Sequence, residues 1–212
     1  MLHCLRRLSL LTGLLLLTAC VQADDSSVAA AANESAANES AAKKSAANTQ
    51  RPVVTVTTNL GEFAIELLPA QAPETTRNFL ARVDEAFYDG LVFHRVIANF
   101  MIQAGGYDAA LTYREPPGTV VNESRNGLKN RKGAVAMARL NHPDSADTQF
   151  FINVKNNGHL DAKGGAPGYT VFGQVTDGWP VVEKIELVDT GRANGMAGVP
   201  EQPVVIESIR RR

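Results

Sequence analysis

The sequence predicts a mainly β protein, an antiparallel barrel or sandwich, on three observations. Short alternating or wholly apolar runs recur across residues 53–209, only two segments carry helical periodicity, and the strands do not alternate with helices as a parallel sheet requires. In chain order, Val53–Thr58 (VVTVTT) is β-branched and alternating, Asn59-Leu60-Gly61 turns the chain, and Phe63–Leu67 alternates again, which reads as a hairpin. Pro73 opens a helix that places Phe79, Leu80, Val83 and Phe87 on one face, and Asp89-Gly90 stops it. Further strand runs follow at Leu91–Ile97, Met101–Ala104, Ala134–Ala138, Phe150–Val154, Thr170–Val175 and Val204–Ile209. Between the last two, a second helix starts at Trp179-Pro180 and aligns Val181, Val182, Ile185 and Leu187.

A chain of 212 residues with 44% hydrophobic and 20% charged residues supports one ordinary core. Its net charge of -1, from 21 Lys+Arg against 22 Asp+Glu, leaves no excess of positive charge to neutralise phosphates, so nucleic acid is not expected as a partner. Both cysteines, Cys4 and Cys20, lie at the N-terminus. The rest of the chain therefore has no thiol for a disulfide, a metal site or a nucleophile.

Arg6-Arg7 followed by the leucine-rich run from Leu8 to Leu17 is a secretory signal pattern, and it is too short for a transmembrane span of about 20 apolar residues. Its end, Leu17-Thr18-Ala19-Cys20, resembles the lipobox of bacterial lipoproteins, in which the cysteine is lipidated and becomes the first residue of the mature chain. That resemblance implies a membrane anchor at Cys20 and a place in the bacterial cell envelope, periplasmic. Val21 in the next position points to the outer membrane; cleavage after Ala23 without lipid is the alternative and would release a soluble protein. From Val21 to Arg51 the chain is rich in Ala, Ser, Asn, Glu and Lys, with a five-residue repeat through Ser35, Ser40 and Ser45 that builds no apolar helix face. A flexible segment of this length has a root-mean-square reach on the order of 30 Å. The expected organisation is a leader over 1–19, a lipidated cysteine and tether over 20–51, and one domain over 52–212, monomeric.

The common catalytic constellations are absent from that domain. His94, His142 and His159 lack metal-ligand spacing, and no Gly-x-Ser-x-Gly, phosphate-binding loop or dinucleotide fingerprint is present, so neither a metal nor a cofactor is expected. One block stands out, residues 93–106 (FHRVIANFMIQAGG). If Leu91–Ile97 is a strand, Phe93, Arg95 and Ile97 share a face, and an arginine flanked by core-type residues is unusual.

With FHRVI at 93–97, NFMIQ at 99–103, Gly105-Gly106, Met137-Ala138, SADTQFFIN at 145–153, Leu160-Asp161 and VFGQV at 171–175, in that order, the chain resembles the cyclophilin family of peptidyl-prolyl cis-trans isomerases. It is most similar to the periplasmic bacterial branch. The resemblance implies a closed eight-stranded antiparallel β-barrel capped by two α-helices, and an enzyme acting on proline-containing polypeptides with no cofactor. It implies Arg95 as the catalytic donor, braced by Gln103. Phe100, Met101, Phe151 and Leu160 would hold the proline ring, the backbone at Ala138 and Arg139 the residues before it, and Gln149 would help position substrate or Arg95. His94 belongs to the motif with either a structural or a direct role. His159 stands where eukaryotic members have tryptophan before Leu-Asp, which implies weak cyclosporin sensitivity, and Tyr169 takes the place of the family's tyrosine or histidine across that loop. A proline-binding module on the same barrel with little turnover is the alternative from another class.

Overall fold

A computed structural model describes residues 51–212; the expected leader, Cys20 and nearly all of the tether lie outside the described residues. The strands are β1 (Val53–Thr58), β2 (Gly61–Leu67), β3 (Arg95–Ile97), β4 (Met101–Ala104), β5 (Ala134–Met137), β6 (Phe150–Asn153), β7 (Val171–Asp177), β8 (Thr190–Ala193), β9 (Met196–Pro200) and β10 (Ile206–Arg211). Two helices join them, α1 (Pro73–Asp84) and α2 (Trp179–Glu186). Eight strands form one antiparallel sheet in the order β10-β1-β2-β7-β5-β6-β4-β3, and β8 and β9 form a separate hairpin.

The curl of the sheet follows from its burial pattern. Val54, Val56, Ile65, Leu67, Ile102, Val135, Phe150, Ile152, Phe172, Ile206 and Ile209 enter a single core, as alternate residues do when one face of a sheet turns inward. Strand ladders leave β3 and β10 at the two ends. The chain just before each meets the other: Phe93 N–H donates to Val204 O at 2.9 Å and Ile206 N–H to Leu91 O at 2.8 Å. The described sheet is thus curled, with a short bridge in place of a full ladder between its ends.

Helix α1 covers one end of the core because Thr76, Phe79, Leu80 and Val83 recur on one side, and Phe79 meets the rings of Phe150 at 5.6 Å and Phe172 at 5.1 Å. The helix stops at Asp84, so Phe87 lies in the turn after it and not on its face. In α2, Val182 and Ile185 are buried, whereas Leu187 is the exposed C-cap, outside the apolar face expected to include it.

Ala72 at the N-cap of α1 has no side chain to satisfy the first amides, and a distant residue does so. The Glu123 carboxylate accepts the N–H groups of Glu74 at 3.1 Å and Thr75 at 2.9 Å and the Thr75 hydroxyl at 2.7 Å. Glu123→Ala should lower stability by about 1–2 kcal/mol, the range for loss of an N-cap, with Glu123→Gln losing less. A urea midpoint unchanged in Glu123→Ala would remove this cap from the accounting.

Candidate active site

Cross-strand register assembles the site. Arg95 on β3 pairs with Gln103 on β4, Gln103 with Phe151 on β6, Phe151 with Ala136 on β5, and Ala136 with Val171 on β7. Side chains in such a lateral row share a face. This row points outward, away from the main core, and with Met101 and Ala134 it forms a second apolar cluster against which Ile97, Phe100, Leu128, Leu160 and Tyr169 pack. Phe93 was expected on this face with Arg95 and Ile97, but it enters the main core. The reason is local: regular strand geometry begins only at Arg95, so two-residue alternation does not extend back to Phe93.

On this outer cluster lies a cavity of about 160 Å³ lined by Arg95, Phe100, Met101, Gln103, Ala138, Arg139, Phe151, Leu160 and Tyr169. The structure thus brings together nine residues singled out in the sequence, among them Tyr169, whose ring meets that of Phe151 edge-on at 5.6 Å. Two others stand outside the lining. Gln149 faces a neighbouring cavity with Tyr107, Tyr113 and Asp147, and its Oε1 accepts a hydrogen bond from Gln103 Nε2 at 3.1 Å. His159 is exposed on the single 3-10 turn Gly158–Leu160, its ring stacked on Phe100 at 5.6 Å.

Arg95 is half-buried and lightly engaged. Among the described residues its only side-chain hydrogen bond is from Nη1 to Met101 Sδ at 3.7 Å, which leaves most guanidinium donors available. Gln103 was expected to brace Arg95, but its amide turns to Gln149. Arg139 is fully engaged by contrast: Nε donates to Gly168 O at 3.2 Å, Nη2 to Pro167 O, Nη1 to Leu140 O, and the guanidinium lies over the Tyr169 ring at 4.8 Å. It ties the two loops that flank the cleft.

The far wall rests on buried amides. Asn157 Nδ2 donates to Phe100 O and to Asn153 Oδ1, both at 2.8 Å, and Asn153 Nδ2 donates to Ala134 O at 3.0 Å. The Asp161 carboxylate accepts the N–H of Asn130 at 2.8 Å. Phe100 and the turn carrying Leu160 are thereby held to the sheet. Asn130 and Asn157 had no reading in the sequence, where exposed and buried asparagines look alike, and Asn153 entered only as the end of the 145–153 string.

His94 is 3% exposed, its ring tilted against that of Tyr107 at 4.7 Å, with no hydrogen-bond partner at Nδ1. Burial, seconded by the nearby Arg95 charge, depresses its pKa from 6.5 to about 4, against a backbone hydrogen bond that raises it. Between those values the unfolded chain binds the proton that the folded chain refuses. Stability therefore falls as pH drops from about 6.5 to about 4, by an amount on the order of 3 kcal/mol, and His94 contributes no pH dependence above that window. Chemical denaturation at pH 7 and pH 4.5 should show a smaller difference in His94→Gln than in wild type.

The comparisons agree with this geometry. The family model described as cyclophilin type peptidyl-prolyl cis-trans isomerase/CLD matches residues 53–211. Peptidyl-prolyl cis-trans isomerase cyp18 of Streptomyces antibioticus is 48% identical over 160 residues, covering 74% of this chain and 96% of that protein. Peptidyl-prolyl cis-trans isomerase B of Escherichia coli is 45% identical over 160 residues, covering 74% and 98%. The crystal structure of a Cryptosporidium parvum cyclophilin type peptidyl-prolyl cis-trans isomerase superposes with a TM-score of 0.65 at 25% identity, over 77% of this chain and 98% of that one. A sequence match along nearly the whole described region, together with that superposition, leaves one assignment: the chain belongs to the cyclophilin-type peptidyl-prolyl cis-trans isomerase family.

Proposed function

We propose that the protein is a peptidyl-prolyl cis-trans isomerase that accelerates X-Pro bond rotation in polypeptides of the bacterial cell envelope, with Arg95 as its catalytic residue. The observation that carries this reading is a guanidinium with uncommitted donors at the edge of a small cavity that Phe100, Met101, Phe151 and Leu160 line on its apolar side. Resonance gives the X-Pro bond a rotational barrier of about 18–20 kcal/mol, and uncatalysed exchange takes roughly 10–100 s. In the twisted state the prolyl nitrogen becomes pyramidal and recovers a lone pair. A donor aimed at that nitrogen stabilises the twisted state more than either planar one, which is the condition for acceleration. A guanidinium serves because it remains protonated and needs no acid-base partner.

Phe100, Met101, Phe151 and Leu160 offer the proline ring a rigid apolar surface, and Tyr169 closes it. Ala138 N–H is already donated to Gln149 O at 2.9 Å, so the Ala138 carbonyl is the group this residue offers a peptide. Gln149 acts through Gln103, holding its amide beside the Arg95 row. His159 forms the rim through its stack on Phe100. Closure of the sheet into a full barrel, through the segments at Leu91–Phe93 and Val204–Ile206, belongs to the same reading.

Attachment through a lipidated Cys20 to the outer membrane, with a monomeric domain on the tether in the periplasm, places this activity where exported chains fold; the leader pattern supports it. The activity is tested by a protease-coupled assay on a short X-Pro peptide. Full-chain protein should accelerate the slow phase; tight peptide binding without acceleration would make the protein a binding module instead. Fatty-acid labelling of wild type and Cys20→Ser tests the anchor, and an unlabelled wild type would end it.

A further inference from the structure

A second groove lies beyond the cleft, on the side of Leu160. It has a volume of about 290 Å³, and Arg125, Lys129 and Lys163 line it with no carboxylate among its lining residues. Its two walls are the 124–129 and 162–166 segments, joined by the Arg125 guanidinium donating to Gly165 O. All three cations are exposed, and among the described residues only Lys129 has an acidic neighbour, Asp161 at 3.8 Å. That carboxylate is already accepting the N–H and the amide of Asn130. Exposed Arg131 and Lys155 extend the positive field on the segments joined where Lys132 N–H donates to Asn156 Oδ1 and Asn157 N–H to Asn130 O, whereas the Lys132 ammonium is taken by Glu183 at 3.8 Å and the Trp179 ring. On a chain whose net charge is -1, this is a local concentration of one sign.

The groove and the cleft share a wall. Leu128 lines the groove and packs on the apolar cluster beneath the proline cavity, and Leu160 of the cavity is two residues from Ala162 of the groove. At about 3.3 Å per residue, side chains two to four residues from a proline held in the cavity lie roughly 7–13 Å from it along an extended chain, so a peptide that leaves the cavity past Leu160 runs toward the groove. We propose that the Arg125–Lys129–Lys163 groove is a docking subsite for carboxylate side chains of the bound polypeptide, which makes proline segments flanked by acidic residues the preferred substrate class. The placement of proline rests on the isomerase reading above. An anionic membrane surface is the competing partner, but continuity of the groove with the cleft favours a polypeptide.

The test uses three labelled peptides with one Ala-Pro core and Glu, Gln or Lys at the second to fourth positions on each side. Binding to the full chain is read by fluorescence anisotropy. At about 0.02 M salt the Glu peptide should bind roughly fivefold more tightly than the Gln peptide, and the Lys peptide more weakly than either. The preference should shrink to within about twofold at 0.5 M salt, where screening is strong, and in the triple variant Arg125→Gln, Lys129→Gln, Lys163→Gln. Equal affinities at low salt, or a preference that survives in the triple variant, would overturn the proposal. So would retention on phosphatidylglycerol vesicles that the triple variant loses, together with no peptide preference. Turnover of the Gln peptide is read separately: its absence with the Glu preference intact defeats the isomerase reading and leaves the subsite standing.

Discussion

Arg95→Ala should retain the fold and lose about two to three orders of magnitude in kcat/KM on an X-Pro peptide, the range found when a single charged or polar donor to a developing electron pair is removed. The position allows the fold to survive. Arg95 is half-buried, on the outward face of an edge strand, and its side chain holds no other element in place beyond a long contact to Met101 sulfur. The catalytic loss should be large because the donor works above an apolar floor of Met101 and Phe151, where a charged hydrogen bond is stronger than in water. Binding of the planar peptide should change by less than about threefold, since the proline ring is held by the apolar wall and not by the guanidinium. Arg95→Lys should recover only part of the rate, because one ammonium on a flexible stem does not reproduce a planar fork of donors. The rate should also be flat between pH 5.5 and pH 8.5. Its neighbour His94 stays neutral above about pH 4, so a titration within that range would point to a different donor. Equal rates for wild type and Arg95→Ala would remove Arg95 from the mechanism.

Elements were legible in the sequence wherever one face alone is buried. Strand β1 alternates because its outward residues stay partly open to solvent, β2 follows it except at the buried Ala64, and the hairpin between them is read at its Asn59-Leu60 turn. Strands β4, β5 and β6 were legible as strands but not as faces. MIQA, AVAM and FFIN have almost no polar residues because the outer cluster covers the side that would otherwise be wet. Which residues point outward is decided by the Arg95–Gln103–Phe151 register, whose second link pairs strands far apart in the chain. Taken alone, Phe100 and Phe151 are indistinguishable from core residues, and only their place in the family's strings marked them. The β8–β9 hairpin was missed although Asn194-Gly195 takes the positive φ values of a tight hairpin turn, 47° and 77°. Its strands are exposed or half-buried except at Val199 and Pro200 and carry no apolar alternation, so the turn had nothing to announce. Glu123 is the opposite case, a loop carboxylate whose role exists only after a helix 48 residues earlier in the chain arrives beneath it.

Gly168→Ala should damage binding where Arg95→Ala damages turnover. A Cβ at Gly168 would lie 2.4 Å from both Leu160 O and Ala162 N and 2.6 Å from the Asp161 carbonyl carbon, all of them backbone atoms that no rotamer change can move aside. The turn would have to shift as a unit, and it carries Leu160, the wall of the proline cavity. It cannot shift freely. Tyr169 N–H donates to Leu160 O at 2.9 Å, Gly168 N–H to Ser124 Oγ at 2.9 Å, and Gly168 O accepts from Arg139 and Asn122. The cost should be about 1–3 kcal/mol of stability, as for overpacking elsewhere, with a KM raised roughly tenfold and kcat within about threefold of wild type. The split follows from geometry, because the displaced turn lies across the cavity from β3 and leaves the Arg95 row in register. Gly118→Ala provides the contrast. A Cβ there meets nothing within 4 Å and φ is not positive, so the change should leave KM alone and stability equal or slightly higher. A wild-type KM in a folded Gly168→Ala protein would show that the Leu160–Ala162 turn is not the wall against which substrate is held.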